Sequence, residues 1–317
     1  MRDYILRRLL LLFPLMFAVS FLTFAMFRLI PGNAAHLTCG ITASPECYEQ
    51  VRRELGLSRP WYEQYGDWLG GVVQGDFGHS FFTTLPVSTE LDRRLPVTAQ
   101  LLTMTVLFSL LLGIPPGVLS AIRPGTALDH LARVASVLWL SVPSYWLGIL
   151  AIAFILNWFG WLPPQFARGY VPFLDDPWIN LQQFLLPSLV MALGFAAGIM
   201  RLIRSSLLEV MRNDYIRTAW SKGLRERTVV MRHALRNALI PVVTVIGLQV
   251  GGLIGGAVII ESVFNLNGIG KYALEAILRR DLMVVQSIVL IFAMAYVLAN
   301  LVVDVAYAWL DPRIRYV

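Results

Sequence analysis

The sequence predicts an all-α, polytopic membrane protein with six transmembrane helices. Three observations carry this expectation. Of the 317 residues, 57% are hydrophobic and 15% are charged, against about 25% charged in an ordinary soluble chain. Six apolar stretches are each long enough to cross a bilayer core of ~30 Å, which takes about 20 helical residues. The charges are also segregated. With the N-terminus inside, sixteen of the 26 Lys and Arg residues fall on inner segments, but only seven of the 20 acids. That is the bias that orients membrane proteins, and it puts both termini in the cytoplasm.

The first stretch runs from about Leu9 to Ile30. It is too long for a signal-peptide core and lacks a small-residue cleavage site, so it reads as a helix. The others run from Val97 to Ile122, Val134 to Phe159, Phe184 to Ile203, Leu239 to Ile260 and Met283 to Leu310. Spans two, three and five contain no Asp, Glu, Lys or Arg. The expected organisation is an N-terminal end and first helix (1–30), an extracytoplasmic loop subdomain (31–95), and a core of five helices (96–317).

In the outer loop, Glu46 to Leu55 reads as a short helix after the turn at Ser44-Pro45. Trp61, Tyr62, Tyr65 and Trp68 recur at helical spacing and suit the membrane interface. This face serves equally as a packed cap on the bundle or as a landing surface for an extracytoplasmic partner. Trp158, Trp161 and Trp178 read as interface anchors, and Asp175-Asp176-Pro177 as a turn. Cys39 and Cys47 are too few for a disulfide scaffold and wrongly patterned for zinc. On the outer side a bridge between them is allowed, as are two free thiols.

Several function classes lack their chemistry. The net charge of +6 is accounted for by topology, so no nucleic-acid partner is needed. A secondary transporter usually places several ionisable groups at mid-membrane, and no inverted repeat is visible. Neither His-Glu-x-x-His nor Gly-x-Ser-x-Gly occurs, as an intramembrane enzyme of those types would require. A channel fits the composition but leaves the inner loop between spans four and five unexplained.

That loop is the most informative segment. Asp214 reads as the cap of a helix beginning at Tyr215, and Gly223 as the residue with φ > 0 that ends it. Ile216, Ala219 and Trp220 share one face at i, i+3 and i+4. Such a short inner helix, near 214–225, suits docking to a soluble partner. The alternative is a basic loop that only sets topology.

The run Asp214-Tyr-Ile-Arg-Thr-Ala, Lys222-Gly-Leu224, followed by His233-Ala-Leu-Arg-Asn-Ala-Leu and Pro241-Val, resembles the dipeptide and oligopeptide permeases, the B-type membrane subunits of ABC importers. Other blocks agree in order: Leu6-Arg7-Arg8-Leu9, Ile30-Pro31-Gly32, Glu54-Leu-Gly-Leu-Ser-Arg-Pro60, Gly75-Asp-Phe-Gly78, Glu261-Ser-Val-Phe264, Gly268-Ile-Gly270, Asn300-Leu-Val-Val-Asp304 and Asp311-Pro-Arg-Ile-Arg315. The chain departs from the wider Glu-Ala-Ala motif at Arg217-Thr218-Ala219, and it carries Trp220 where that branch often has a basic residue and Asn33-Ala34 in place of a common Asp-Pro.

The resemblance implies a type I importer fold in a bacterial plasma membrane. It makes Asp214, Tyr215, Ile216, Arg217, Thr218, Ala219, Trp220, Lys222, Gly223 and Leu224 the coupling helix, seated in a cleft of a cytoplasmic ATPase. It also implies a second permease chain, two ATPase subunits holding ATP and magnesium, and an extracytoplasmic binding protein. No cofactor or metal is expected on this chain, and Gly270-Lys271 does not complete a P-loop. The implied cargo is a peptide, with glutathione or a nickel complex as alternatives. In the fifth span Gly247, Gly251 and Gly255, with Gly252 and Gly256 alongside, let helices approach closely in lipid. They read either as a sliding interface with the sister permease beside the solute path, or as ordinary tight packing. Asp304, near Asn300, reads as a structural partner within the bundle, and His233 as a cap or surface residue. Cys39 and Cys47 are predicted to be bridged. A maleimide should label them only after reduction, and labelling of both beforehand contradicts the bridge.

Overall fold

The computed structural model describes residues 2–29, 44–46, 49, 59–80 and 82–310. Cys39, Cys47, most of the helix expected over 46–55 and the C-terminal block from Asp311 lie outside these residues. Among the described residues every regular element is helical, apart from one isolated bridge between His79 and Pro86. The elements are α1 (Arg2–Leu29), α2 (Trp61–Val73), α3 (Val87–Ile122), α4 (Ala127–Ser141), α5 (Ser144–Phe159), α6 (Pro177–Val210), α7 (Asp214–Ser221), α8 (Glu226–Val263), α9 (Ile269–Arg279) and α10 (Leu282–Leu310). Helices α3, α6, α8 and α10 are each long and apolar enough to cross a membrane.

The expected third span is not one straight helix. Helices α4 and α5 meet at a 98° bend, and only together do they pass as a single crossing. Val142 is extended, with φ −101° and ψ 124°, as the residue before a proline is forced to be. Pro143 then supplies no N–H to continue α4 and starts α5 instead. Counting the pair once gives five crossings, and α1 contributes a shorter apolar stretch, Leu10–Met26.

The fourth helix starts earlier than hydropathy suggests. The Asp176 carboxylate accepts from the Trp178 and Ile179 amides at 3.1 and 3.0 Å, with Pro177 as first helical residue. Asp176-Pro177 is therefore a helix-start signal rather than only a turn. The loop ahead of it is pinned by amides. Asn180 donates to Val171 O at 2.8 Å, and Gln183 donates to Gly169 O at 2.9 Å. Burial, aided by Asp175, pushes the Tyr170 phenol above its ordinary value.

Two compact units divide the chain: residues 1–4, 99–266 and 299–317 in one, and 5–98 with 267–298 in the other. In the first, α3 and α6 touch backbone to backbone. A Cβ added to Gly113 would lie 2.9 Å from Ala196 O, and one added to Gly117 would lie 2.8 Å from Met200 O and overlap Ile203. In the second, the aromatic face of α2 packs on α1. Tyr65 is buried 5.8, 5.6 and 5.3 Å from the rings of Phe17, Phe21 and Phe24, and its hydroxyl pairs with Ser20 at 2.8 Å. Trp61 and Tyr62 stay exposed, so the expected interface face is split between packing and surface.

The Gly75-Asp-Phe-Gly78 block also belongs to the second unit. Gly78 has φ +79°, a left-handed conformation that costs a Cβ-bearing residue about 1–2 kcal/mol. Its amide donates to the Asp76 carboxylate at 2.9 Å. Beyond it, Ser80 donates to Asp281 at 2.5 Å, fixing the loop to the start of α10. The neighbouring Tyr272 phenol is pushed up to about 12 by burial, with Asp281 and Glu90 adding to the effect.

Gly117→Ala should destabilise the chain by about 1–3 kcal/mol through overpacking. Gly66→Ala, with nothing within 4 Å of the new Cβ, should instead be neutral or stabilise α2 by about 0.5–1 kcal/mol. Thermal unfolding of the purified chain in detergent checks both.

Candidate functional site

The site is built around α7, which eight residues make too short to persist in isolation. Its ends are defined by local chemistry. Asn213, with φ −71° and ψ 148°, is the N-cap, and its carbonyl accepts from the Ile216 and Arg217 amides at 3.0 and 3.3 Å. Asp214, expected to be the cap, is instead the first helical residue. Its carboxylate lies 3.5 Å from Arg217, where a negative charge still favours the helix dipole. Both residues are good caps, and the extended backbone falls on the first of them.

The C-terminus is a Schellman arrangement. The Gly223 amide donates to Trp220 O at 2.9 Å and the Leu224 amide to Ala219 O at 3.4 Å. Gly223 has φ +75°, the left-handed geometry expected there. The chain then turns directly into α8, where the Arg225 carbonyl accepts from Thr228 and Val229 at 2.8 and 3.0 Å.

Packing decides which face of α7 is available. Ile216 and Ala219 are 0% and 7% exposed. They sit in a core with Ile203 and Leu207 of α6, Val118 and Ala121 of α3, and Val229, Val230 and Ala234 of α8. Burying a side chain like Ile216 stabilises by about 1.5–3 kcal/mol. Trp220, expected on the same face, is 42% exposed. At 100° per residue it lies about 40° from Ile216 but about 100° from Ala219, outside the arc that the two buried residues share. The apolar face thus points into the helix bundle, not outward. The outward surface is Tyr215, Arg217, Thr218, Trp220, Ser221 and Lys222.

A second tie holds α7 to α8. The Asn237 side-chain amide donates to the Tyr215 hydroxyl at 2.7 Å. This joins the two sequence blocks that flank the loop. Between them, residues Val229–Ala234 form a π-helical turn within α8, a feature often found at functional positions. His233 is half-buried on that turn. Among the described residues, no group of three or more potential ligands could hold a metal ion.

The five glycines of α8 do not act alike. A Cβ on Gly247 would lie 2.9 Å from Val303, and one on Gly256 would lie 3.1 Å from Met191. These two sit in tight packing within the unit. Gly252 and Gly255 have nothing within 4 Å, and Gly251 is exposed. Asn300 Oδ1 lies 3.5 Å from the Gly247 position, and Asp304, one turn on, is half-buried.

One ion pair leaves no motif in the sequence. Asp129, 1% exposed, accepts from Arg204 at 2.8 and 3.1 Å. The 75-residue separation hides the pairing; the one local signal is an acid in the first turn after a Thr cap.

Two family models cover almost the whole chain. Residues 113–316 match the binding-protein-dependent transport system inner membrane component, and residues 1–102 match the N-terminal part of the same kind of component. The chain is 43% identical over its full length to a Brucella abortus protein named as a peptide transport system permease, itself covered in full. It is 38% identical to the dipeptide transport system permease DppB of Alkalihalophilus pseudofirmus, with both chains fully covered. It is 39% identical to the glutathione transport system permease GsiC of Escherichia coli K12, again with both chains fully covered. With its apolar helices, its short anchored α7 and full-length matches of this kind, the chain belongs to the family of binding-protein-dependent transport system inner membrane components, the permease subunits of ABC importers.

Proposed function

We propose that this chain is the B-type permease subunit of an importer that carries di- or oligopeptides into the bacterial cytoplasm, and that α7 is its coupling helix. The observation that carries this is the division of α7 into a buried seat and an exposed surface. Ile216 and Ala219 fix the helix to three long helices, while Tyr215, Arg217, Trp220 and Lys222 remain available to a partner. A helix held this way moves only with the bundle. A cytoplasmic ATPase that grips the outer face would therefore move α3, α6 and α8.

In this reading both termini are cytoplasmic, as the Lys and Arg distribution favours. Helices α1, α3, α4 with α5, α6, α8 and α10 make six crossings. A second permease chain completes the pore, two ATPase subunits bind ATP with magnesium and hydrolyse it, and an extracytoplasmic binding protein delivers the cargo. ATP-driven closure of the ATPases draws the coupling helices together, and hydrolysis releases them, so that rigid groups of helices rock between two openings. The open glycines Gly251, Gly252 and Gly255 give a partner helix room for close approach. The names of the relatives favour a peptide cargo, and glutathione, itself a short peptide, is the second reading.

The test is reconstitution of the complete complex in vesicles. Uptake of labelled dipeptide should require both ATP and the binding protein; uptake driven by an ion gradient alone contradicts the proposal. Gly223→Pro, which removes a donated N–H and cannot adopt φ +75°, should abolish uptake while the chain still inserts. Ile216→Ala should destabilise the chain by about 2–5 kcal/mol. Trp220→Ala should change stability by less than about 0.5 kcal/mol yet weaken ATPase binding.

A further inference from the structure

We propose that Asp129 and Arg204 are positioning residues for coupling: their ion pair, buried at Asp129 and half-buried at Arg204, makes α4 move as one body with the seat of α7. This rests on the function proposed above. Asp129 collects donors from three places. Ser120 Oγ on α3 donates at 2.5 Å, the Gly125 amide in the α3–α4 turn donates at 3.0 Å, and Arg204 on α6 donates through Nε at 2.8 Å and Nη2 at 3.1 Å. Arg204 Nε also lies 2.9 Å from Ser120 Oγ. Arg133, one turn along α4, adds a weaker contact at 3.7 Å.

An exposed acid in the first turn of α4 would already favour the helix dipole. Stability alone does not call for this arrangement. Burying the Asp129 charge costs several kcal/mol, and apolar replacements of such pairs are often as stable. What the pair supplies is geometry. A two-pronged guanidinium–carboxylate contact fixes the orientation of α4 on α6 as well as its distance.

Its location decides what that geometry serves. Arg204 lies between Ile203 and Leu207, and Ser120 between Val118 and Ala121; all four neighbours line the core that holds Ile216 and Ala219. The ion pair and the seat of α7 therefore occupy the same stretch of α3 and α6. The far end of α4 is the 98° bend at Val142-Pro143. A push on α7 thus reaches the bend through α4. Without the pair, α4 is tied to α6 only by packing that permits sliding.

The test uses the full complex in vesicles and reads peptide imported per ATP hydrolysed. Asp129→Asn with Arg204→Gln leaves no lone buried charge. It should assemble and hydrolyse ATP at the wild-type rate, with the import-to-hydrolysis ratio lowered at least about fivefold, the lower range of ordinary coupling energies. Arg204→Lys keeps the charge but loses the fork, and should give an intermediate ratio. A wild-type ratio in either variant overturns the role. So does a loss of assembly with hydrolysis and import falling together in Arg204→Lys, which would mark a merely structural contact. ATP-independent import by the wild-type complex overturns the function proposed above, and this role with it. ATP-driven wild-type import with unchanged variant ratios overturns the role alone.

Discussion

The structure of the first unit depends on the burial of one face of α7. Eight residues cannot hold a helix in water, because nucleation outweighs so few backbone bonds. Asn213 and Gly223 define where the helix starts and stops, but the Asn213 side chain makes no capping bond, and a cap that does contributes only about 1 kcal/mol. Ile216 and Ala219 supply the rest by entering the core of α3, α6 and α8. The same burial that keeps the helix folded makes it rigid with respect to those helices. In the proposed coupling role, stability and force transmission are one property.

Close approach of α3 and α6 is the second condition. Gly113 and Gly117 let two backbones meet with no intervening side chain. In lipid, where apolar contact between helices gains little over apolar contact with acyl chains, such packing is the main source of association. The pair of helices that receives α7 is therefore stiff where α7 joins it. The Asp129–Arg204 pair lies beside this contact and adds a directional constraint that apolar packing lacks.

Much of this was legible in the sequence, and what was not has physical reasons. Long apolar runs identified the four long helices α3, α6, α8 and α10, since a bilayer imposes a length rule directly. The bend at Pro143 was hidden because a run apolar on all sides has no periodicity to interrupt, although the proline itself was a signal. Gly223 was placed correctly because only a left-handed residue ends such a helix so tightly. Asp214 was displaced by one position, because Asn213 and Asp214 are equally suited to capping. Ile216, Ala219 and Trp220 read as one face, but i, i+3 and i+4 define a stripe and not its edge, and Trp220 falls outside the buried part. The stripe of glycines in α8 drew attention that Gly113 and Gly117 deserved equally. Spacing alone does not tell which small residues face a neighbour. The Asp129–Arg204 pair was illegible for a simpler reason: tertiary pairing across 75 residues leaves no local pattern.

In the proposed function, α7 and the helices around it move as one rigid body. Nitroxide labels at Ser205→Cys on α6 and Ser221→Cys at the end of α7, both exposed, measure it by pulsed electron paramagnetic resonance in the assembled complex. A single narrow distance is expected, the same with ATP trapped, with ADP and without nucleotide. A mean distance that changes with the nucleotide, or a broad distribution in every state, would contradict it.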